Sequence, residues 1–143
     1  MYQYLRKVQY HETDKMGITH HANYIKWMEE ARISFLESIN LPFQLIEDRG
    51  ITSPVVGLSI DYKNPSTFGH NVLIGVSITK YSGVQLEVAY TMTDAEKGTV
   101  FAVAASKHCF LKNGRVISLK RAEPDMHLAI EQACKNSTEA EQR

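Results

Sequence analysis

Between residues 23 and 39 the chain carries Tyr24, Ile25, Trp27, Met28, Ala31, Phe35, Leu36 and Ile39 at helical spacing. They cover far more than the narrow apolar stripe of a surface helix, so this helix has to be wrapped by other elements. Asn40-Leu41-Pro42 ends it, because proline lacks the N–H a continuing helix needs and restricts the residue before it. A short helical turn over 43–48 follows, closed by Gly50.

The material available for wrapping reads as strand. Residues 2–10 alternate Tyr2, Tyr4, Arg6, Val8 and Tyr10 against Gln3, Leu5, Lys7 and Gln9. Four further segments, 53–63, 71–81, 84–93 and 99–111, share the same period of two. In the first of them Val56, Leu58, Ile60 and Tyr62 are predicted to form one buried face. Ser82-Gly83, residues 94–98 and Asn113-Gly114 are short turns that force antiparallel neighbours, whereas the link at 65–69 leaves the first two of these strands free to pair elsewhere. Glu123-Pro124-Asp125 opens a last helix whose apolar face holds Met126, Leu128, Ala129, Ile130 and Ala133.

One strand, one very apolar helix and then a run of antiparallel strands describe an α+β layout, an antiparallel sheet wrapped around a long central helix. A single domain over 1–135 is expected, with 136–143 as a disordered tail. At 143 residues the chain can bury roughly two thirds of its unfolded surface in one core. Its 16 Lys and Arg balance 16 Asp and Glu, so no net field holds a nucleic acid or an acidic membrane. Cys109 and Cys134 lack metal-ligand spacing and read as free thiols. With neither a signal-like apolar start nor a membrane-length apolar run, a cytoplasmic location is expected.

Chemistry concentrates in residues 11–32, HETDKMGITHHANYIKWMEEAR. Asp14 stands three residues before Gly17 and seven before His21, so the loop can bring a carboxylate near the free N–H groups that open the long helix. An acid beside polarising donors points to carbonyl chemistry.

Asp14, Gly17, His21 and Tyr24 form the pattern D-x-x-G-x-x-x-H-x-x-Y, accompanied by Glu30-Ala31-Arg32 and by Tyr62-Lys63-x-Pro65. With this layout, the set resembles the hotdog-fold acyl-CoA thioesterases of the 4-hydroxybenzoyl-CoA thioesterase type, over about residues 2–121. The resemblance implies hydrolysis of an acyl or aromatic acyl-CoA to free acid and coenzyme A, with coenzyme A as part of the substrate and no separate cofactor. It implies Asp14 as nucleophile or general base and the backbone N–H of His21 as oxyanion donor. It also implies a homo-oligomer, a dimer or a homotetramer built from dimers, with acyl-CoA between two subunits. The hairpin at Lys80, Tyr81 and Ser82 matches the coenzyme-contacting turn. A covalent route and a water-mediated route stay open, the second being preferred. The alternatives are a non-catalytic acyl-thioester-binding module, an enzyme acting on acyl carrier protein, and a hotdog dehydratase.

Plainer roles compete for several of these residues. Asp14 can cap its own turn, and Tyr24 in the first turn of a buried helix is expected to pack. His11, Glu12, His20 and His21 match no helical ligand spacing, so no metal is expected. His20 reads as an exposed loop residue. Arg32 lies within the apolar stripe and demands a partner, with Glu29 or a carboxylate from another element as candidates and an ion pair at a subunit contact as the leading role. His108 reads as a satisfied sheet histidine. Gly57 could let an acyl chain or pantetheine arm approach the sheet closely, and a packing or twist effect explains it equally well.

Overall fold

The computed structural model describes residues 1–142. Strand β1 (Tyr2–Lys7) ends three residues short of the expected limit, and the chain turns through a 3-10 turn at Tyr10–Glu12. Val8 swings inward there, fully buried, with its N–H donated to the His70 carbonyl at 2.9 Å. The apolar segment is α1 (Ala22–Ser38), followed by α2 (Phe43–Asp48) and the short β2 (Ile51–Thr52). Then come β3 (Val55–Tyr62), β4 (Asn71–Tyr81), β5 (Gln85–Asp94) and β6 (Val100–Cys109). The small strands β7 (Leu111–Lys112) and β8 (Arg115–Val116) lead to α3 (Leu119–Ala122) and α4 (Pro124–Gln142).

The main sheet has the order β1-β4-β5-β6-β3 and its pairs are antiparallel, so β3 joins β6 and leaves β4 to sit between β1 and β5. The long 65–69 link makes that separation possible. Val72, Ile74, Val76 and Ile78 of β4 meet Trp27, Met28 and Ala31 of α1 in one core, together with Leu86, Val88, Tyr90 and Met92 of β5. Helix α4 lies beside α1 on the same face of the sheet, packed on β4. No described helix is long and apolar enough to cross a membrane.

Three expectations are corrected. The face of Val56, Leu58, Ile60 and Tyr62 is not buried within one chain: Val56, Leu58 and Tyr62 are 53%, 40% and 46% exposed, because β3 is the edge of the sheet. Ile25 on the facing side of α1 is exposed as well, so the helix is wrapped on all but one side. Leu128 points outward from α4. The stretch expected to be a disordered tail continues as helix through residue 142, where the buried Ser137 Oγ accepts the Ile78 N–H at 3.2 Å beside a bulge in β4. Arg143, the end of that stretch, lies outside the described residues.

What fixes the loop between β1 and α1 is the carboxylate of Glu12, 3% exposed. Its Oε1 accepts from Arg6 Nη1 and the Gln9 N–H, each at 2.8 Å; its Oε2 accepts from Arg6 Nη2 at 2.9 Å and from the Trp27 indole at 2.8 Å. The Glu12 carbonyl also accepts the His20 N–H at 2.8 Å and Asn23 Nδ2 at 2.9 Å. Burial pushes the Glu12 carboxyl up, but the donors from Gln9, Trp27 and Arg6 outweigh it and hold it below the usual carboxylate range. A pKa lowered by folding contributes stability that is present above the unfolded value, about 4.3, and is lost as pH falls through the folded value. Glu12→Gln is expected to lower unfolding free energy by about 2–4 kcal/mol at neutral pH. Urea titrations should show that deficit shrinking as pH is taken from about 6 to 3. An unchanged urea midpoint would contradict the anchoring role.

Candidate active site

Asp14 begins a four-residue turn in which its carbonyl accepts the Gly17 N–H at 3.0 Å and its own N–H goes to the Ile18 carbonyl at 2.9 Å. Gly17 sits at φ +78°, a left-handed conformation that L side chains rarely adopt, which is why glycine occupies this position. The Asp14 side chain does cap this turn: Oδ1 accepts the Met16 N–H at 2.8 Å. That bond fixes the carboxylate's orientation while Oδ2 keeps no partner among the described residues.

The helix opens on the His20-His21 pair. His20 carries the cap, accepting the Ala22 N–H on Nδ1 at 3.2 Å and the Asn23 N–H on its carbonyl at 3.0 Å. This capping role is absent from the sequence reading, since histidine is not an expected helix cap. The rings of His20 and His21 stack with centroids 4.3 Å apart. His21 has helical backbone angles, and its N–H meets no acceptor among the described residues, while its carbonyl accepts the Tyr62 hydroxyl at 2.9 Å. An unclaimed N–H at a helix start is a fixed donor for an anionic oxygen.

Tyr24 is buried, and its hydroxyl pairs with Ser66 Oγ at 2.8 Å; Ser66 Oγ also meets Thr19 Oγ1 at 2.6 Å. The Thr19 N–H donates to the Ser66 carbonyl at 2.8 Å, so the loop after β3 is tied to the loop before α1. Tyr62 sets its ring edge-on to Tyr24 at 5.2 Å. Asp14 lies with Thr13, His20 and Asn23 on one wide depression, and His21 lies with Ile18, Tyr24 and Tyr62 on the adjoining one. Acid and donor thus share one end of α1, but a single chain does not enclose them in one pocket.

The 80–82 hairpin is placed differently. Tyr81 turns toward α4, its hydroxyl 2.8 Å from His127 Nδ1, and burial pushes its phenol well up. Ser82 Oγ accepts the Gln85 N–H at 3.0 Å inside the turn, and Lys80 and Ser82 are both exposed while Tyr81 is half-buried. Arg32 has no carboxylate within 4.0 Å among the described residues, so neither candidate within the chain, Glu29 or a carboxylate from another element, pairs with it. His108 Nε2 meets Ser106 Oγ at 2.7 Å, and the backbone of Ser53 and Pro54 also bears on the buried ring. Gly57 faces the aliphatic stem of Lys107 rather than the helix, at a bulge in β3. Among the described residues no cluster of three or more His, Cys, Asp or Glu side chains is placed to hold a metal.

An antiparallel sheet curled around one long helix, with an acidic loop at that helix's opening, is the hotdog architecture of thioesterases. Residues 8–130 match the family described as the Thioesterase-like superfamily, and the chain belongs to it. The YneP protein of Bacillus subtilis is 35% identical over 131 residues, spanning 90% of this chain and 94% of its own. A 1,4-dihydroxy-2-naphthoyl-CoA hydrolase of Synechocystis is 30% identical, spanning 73% of this chain and 77% of its own. The crystal structure of a DHNA-CoA thioesterase from Staphylococcus aureus superposes with a TM-score of 0.90 at 28% identity, over 96% of this chain and 93% of that one.

Proposed function

We propose that this protein hydrolyses acyl-CoA thioesters to the free acid and coenzyme A, with Asp14 as general base and the backbone N–H of His21 as oxyanion donor. The observation that carries this reading is what stands at one end of α1: a carboxylate held by one oxygen and free at the other in the loop that leads into the helix, and a main-chain donor with no internal acceptor at the helix start. Family membership and the hydrolase names of the relatives support the thioester as substrate. Those names also favour an aromatic acyl group.

The chemistry follows from charge. Asp14 Oδ2 takes a proton from water as the water oxygen attacks the thioester carbon, and the carbonyl oxygen becomes an oxyanion. A preorganised N–H at that oxygen is worth roughly 3 kcal/mol of barrier. Collapse of the tetrahedral species expels the coenzyme A sulfur as thiolate and leaves the acid. Lys80, exposed on its hairpin, is suited to the phosphates of the coenzyme as a point charge.

The acting unit in this proposal is a pair of chains. The β3 edge has unpaired backbone groups on one side and presents Val55, Val56, Leu58 and Tyr62 to solvent, a combination that favours edge-to-edge pairing of two copies. Antiparallel pairing of two β3 strands sets the Tyr62 end of one copy beside the Val55 end of the other. The depression at His21 and Tyr62 then gains its missing wall.

Purified protein should release free thiol from acyl-CoA in a thiol-trapping assay. Asp14→Asn should cut kcat by about 100-fold or more with the circular dichroism unchanged; undiminished turnover would remove Asp14 from the mechanism. Leu58→Lys puts a charge on the proposed seam and should yield folded monomers by light scattering with activity falling in parallel. A fully active monomer would contradict the shared site.

A further inference from the structure

The tip of the β4–β5 hairpin is fastened to the helices beneath it by a backbone bond and a side-chain bond. Gly83 sits at φ +92°, and its carbonyl accepts the Leu119 N–H of α3 at 2.9 Å. The Tyr81 hydroxyl lies 2.8 Å from Nδ1 of His127 on α4, with the two rings tilted at 5.4 Å. Nε2 of the same imidazole lies 3.4 Å from Glu131 Oε2, one helical turn further on. His127 is 8% exposed, a buried histidine with a partner at each nitrogen, and neither partner belongs to the site at the opening of α1.

A bulge decides what this fastening holds. Val72, Ile74, Val76 and Ile78 alternate onto the helix-covered face of β4, and an unbroken strand would send Lys80 there next. The register shift between Ile78 and Lys80 reverses the sides. Tyr81, opposite the buried Leu86, faces the helices, and Lys80, opposite Glu87, is exposed on the outer side. Glu87 pairs with Lys107 at 3.6 Å, and Lys80 has no carboxylate within 4.0 Å among the described residues.

Strand register also fixes where the hairpin stands. Gln85 registers with Cys109, and the adjacent His108 registers with Val55, so the tip lies at the Val55 end of the sheet. It is two strands in from the β3 edge, roughly 10 Å. In the pair of chains proposed above, that puts the hairpin of one copy at the same end as the reacting groups of the other.

We propose that His127, backed by Glu131, is a positioning residue for coenzyme binding. By holding Tyr81 and the tip against α3 and α4 it keeps Lys80 directed outward, toward the phosphate-bearing end of an acyl-CoA whose thioester reacts on the other copy. The proposal rests on the hydrolase reading and on the place of Lys80 in it. His127 touches neither the substrate nor the reacting atoms. A cation held in place binds phosphate at a smaller ordering cost than a loose one, and that gain is the same in the ground and transition states, so it belongs to KM rather than kcat.

The test compares an acyl-CoA with the same acyl group on N-acetylcysteamine, which keeps the thioester and lacks the phosphates. His127→Leu should raise KM for the acyl-CoA by about 3- to 10-fold with kcat within about 2-fold, and leave kcat/KM on the truncated thioester within about 2-fold. His127→Asn, whose side-chain oxygen can accept from Tyr81 in place of Nδ1, should recover most of the loss. In a Lys80→Ala background His127→Leu should add less than about 2-fold, because its effect runs through Lys80. Tyr81→Phe removes one hydroxyl and should also raise KM for the acyl-CoA; it decides the matter where His127→Leu does not fold. Equal losses on both thioesters, an unchanged KM for the acyl-CoA, or additive losses with Lys80→Ala would overturn the proposal. Calorimetric titration with coenzyme A itself separates the two levels: affinity that falls in His127→Leu without turnover of any thioester supports the positioning role and sinks the hydrolase reading, whereas turnover with that affinity unchanged does the reverse.

Discussion

The structure depends most on one buried carboxylate. Glu12 collects four donors from β1, the 3-10 turn and α1, and its backbone carbonyl holds two more groups at the start of the helix. Removing the side chain would leave Arg6 and the Trp27 indole short of an acceptor in a region with little access to water, and leaving buried polar groups unmet is what makes such a network costly to break. Two residues downstream, the Asp14 turn inherits its position from this anchor. Glu12 therefore sets where the acid can stand relative to the helix opening, although it touches nothing in the site itself.

The second constraint is the unfinished side of α1. A helix as apolar as this one packs on β1 and β4, but toward β3 it meets an edge strand with exposed apolar residues and a gap. Edge strands with such faces are normally covered. In the proposed pair of chains a second copy would cover this face and complete the depression at His21, so assembly and catalysis would draw on the same strand.

Much of this was legible in the chain. Period-two alternation located β4, β5 and β6 to within a residue or two at most ends, and Pro42 located the end of α1, because both signals are local. The D-x-x-G-x-x-x-H-x-x-Y spacing put Asp14, Gly17 and His21 around one helix opening, since a turn and a helix start obey short-range geometry. What escaped was set by partners distant in sequence. Glu12 read only as a weak metal candidate because its partners Arg6 and Trp27 lie on different elements. Val56, Leu58 and Tyr62 alternate like a buried face, yet alternation cannot say whether the covering surface belongs to the same chain. Ser137 looked like part of a frayed tail, and only the bulge in β4 reveals its acceptor role.

The central claim is that the His21 N–H is held open for a substrate oxygen. Backbone amide NMR on the full chain, titrated with a non-hydrolysable acyl-CoA analogue whose oxygen mimics the tetrahedral oxyanion, addresses it directly. The account predicts a large downfield shift of the His21 amide proton and slowed exchange of that proton with solvent. An unmoved His21 resonance at saturation, with shifts confined to other parts of the chain, would contradict it.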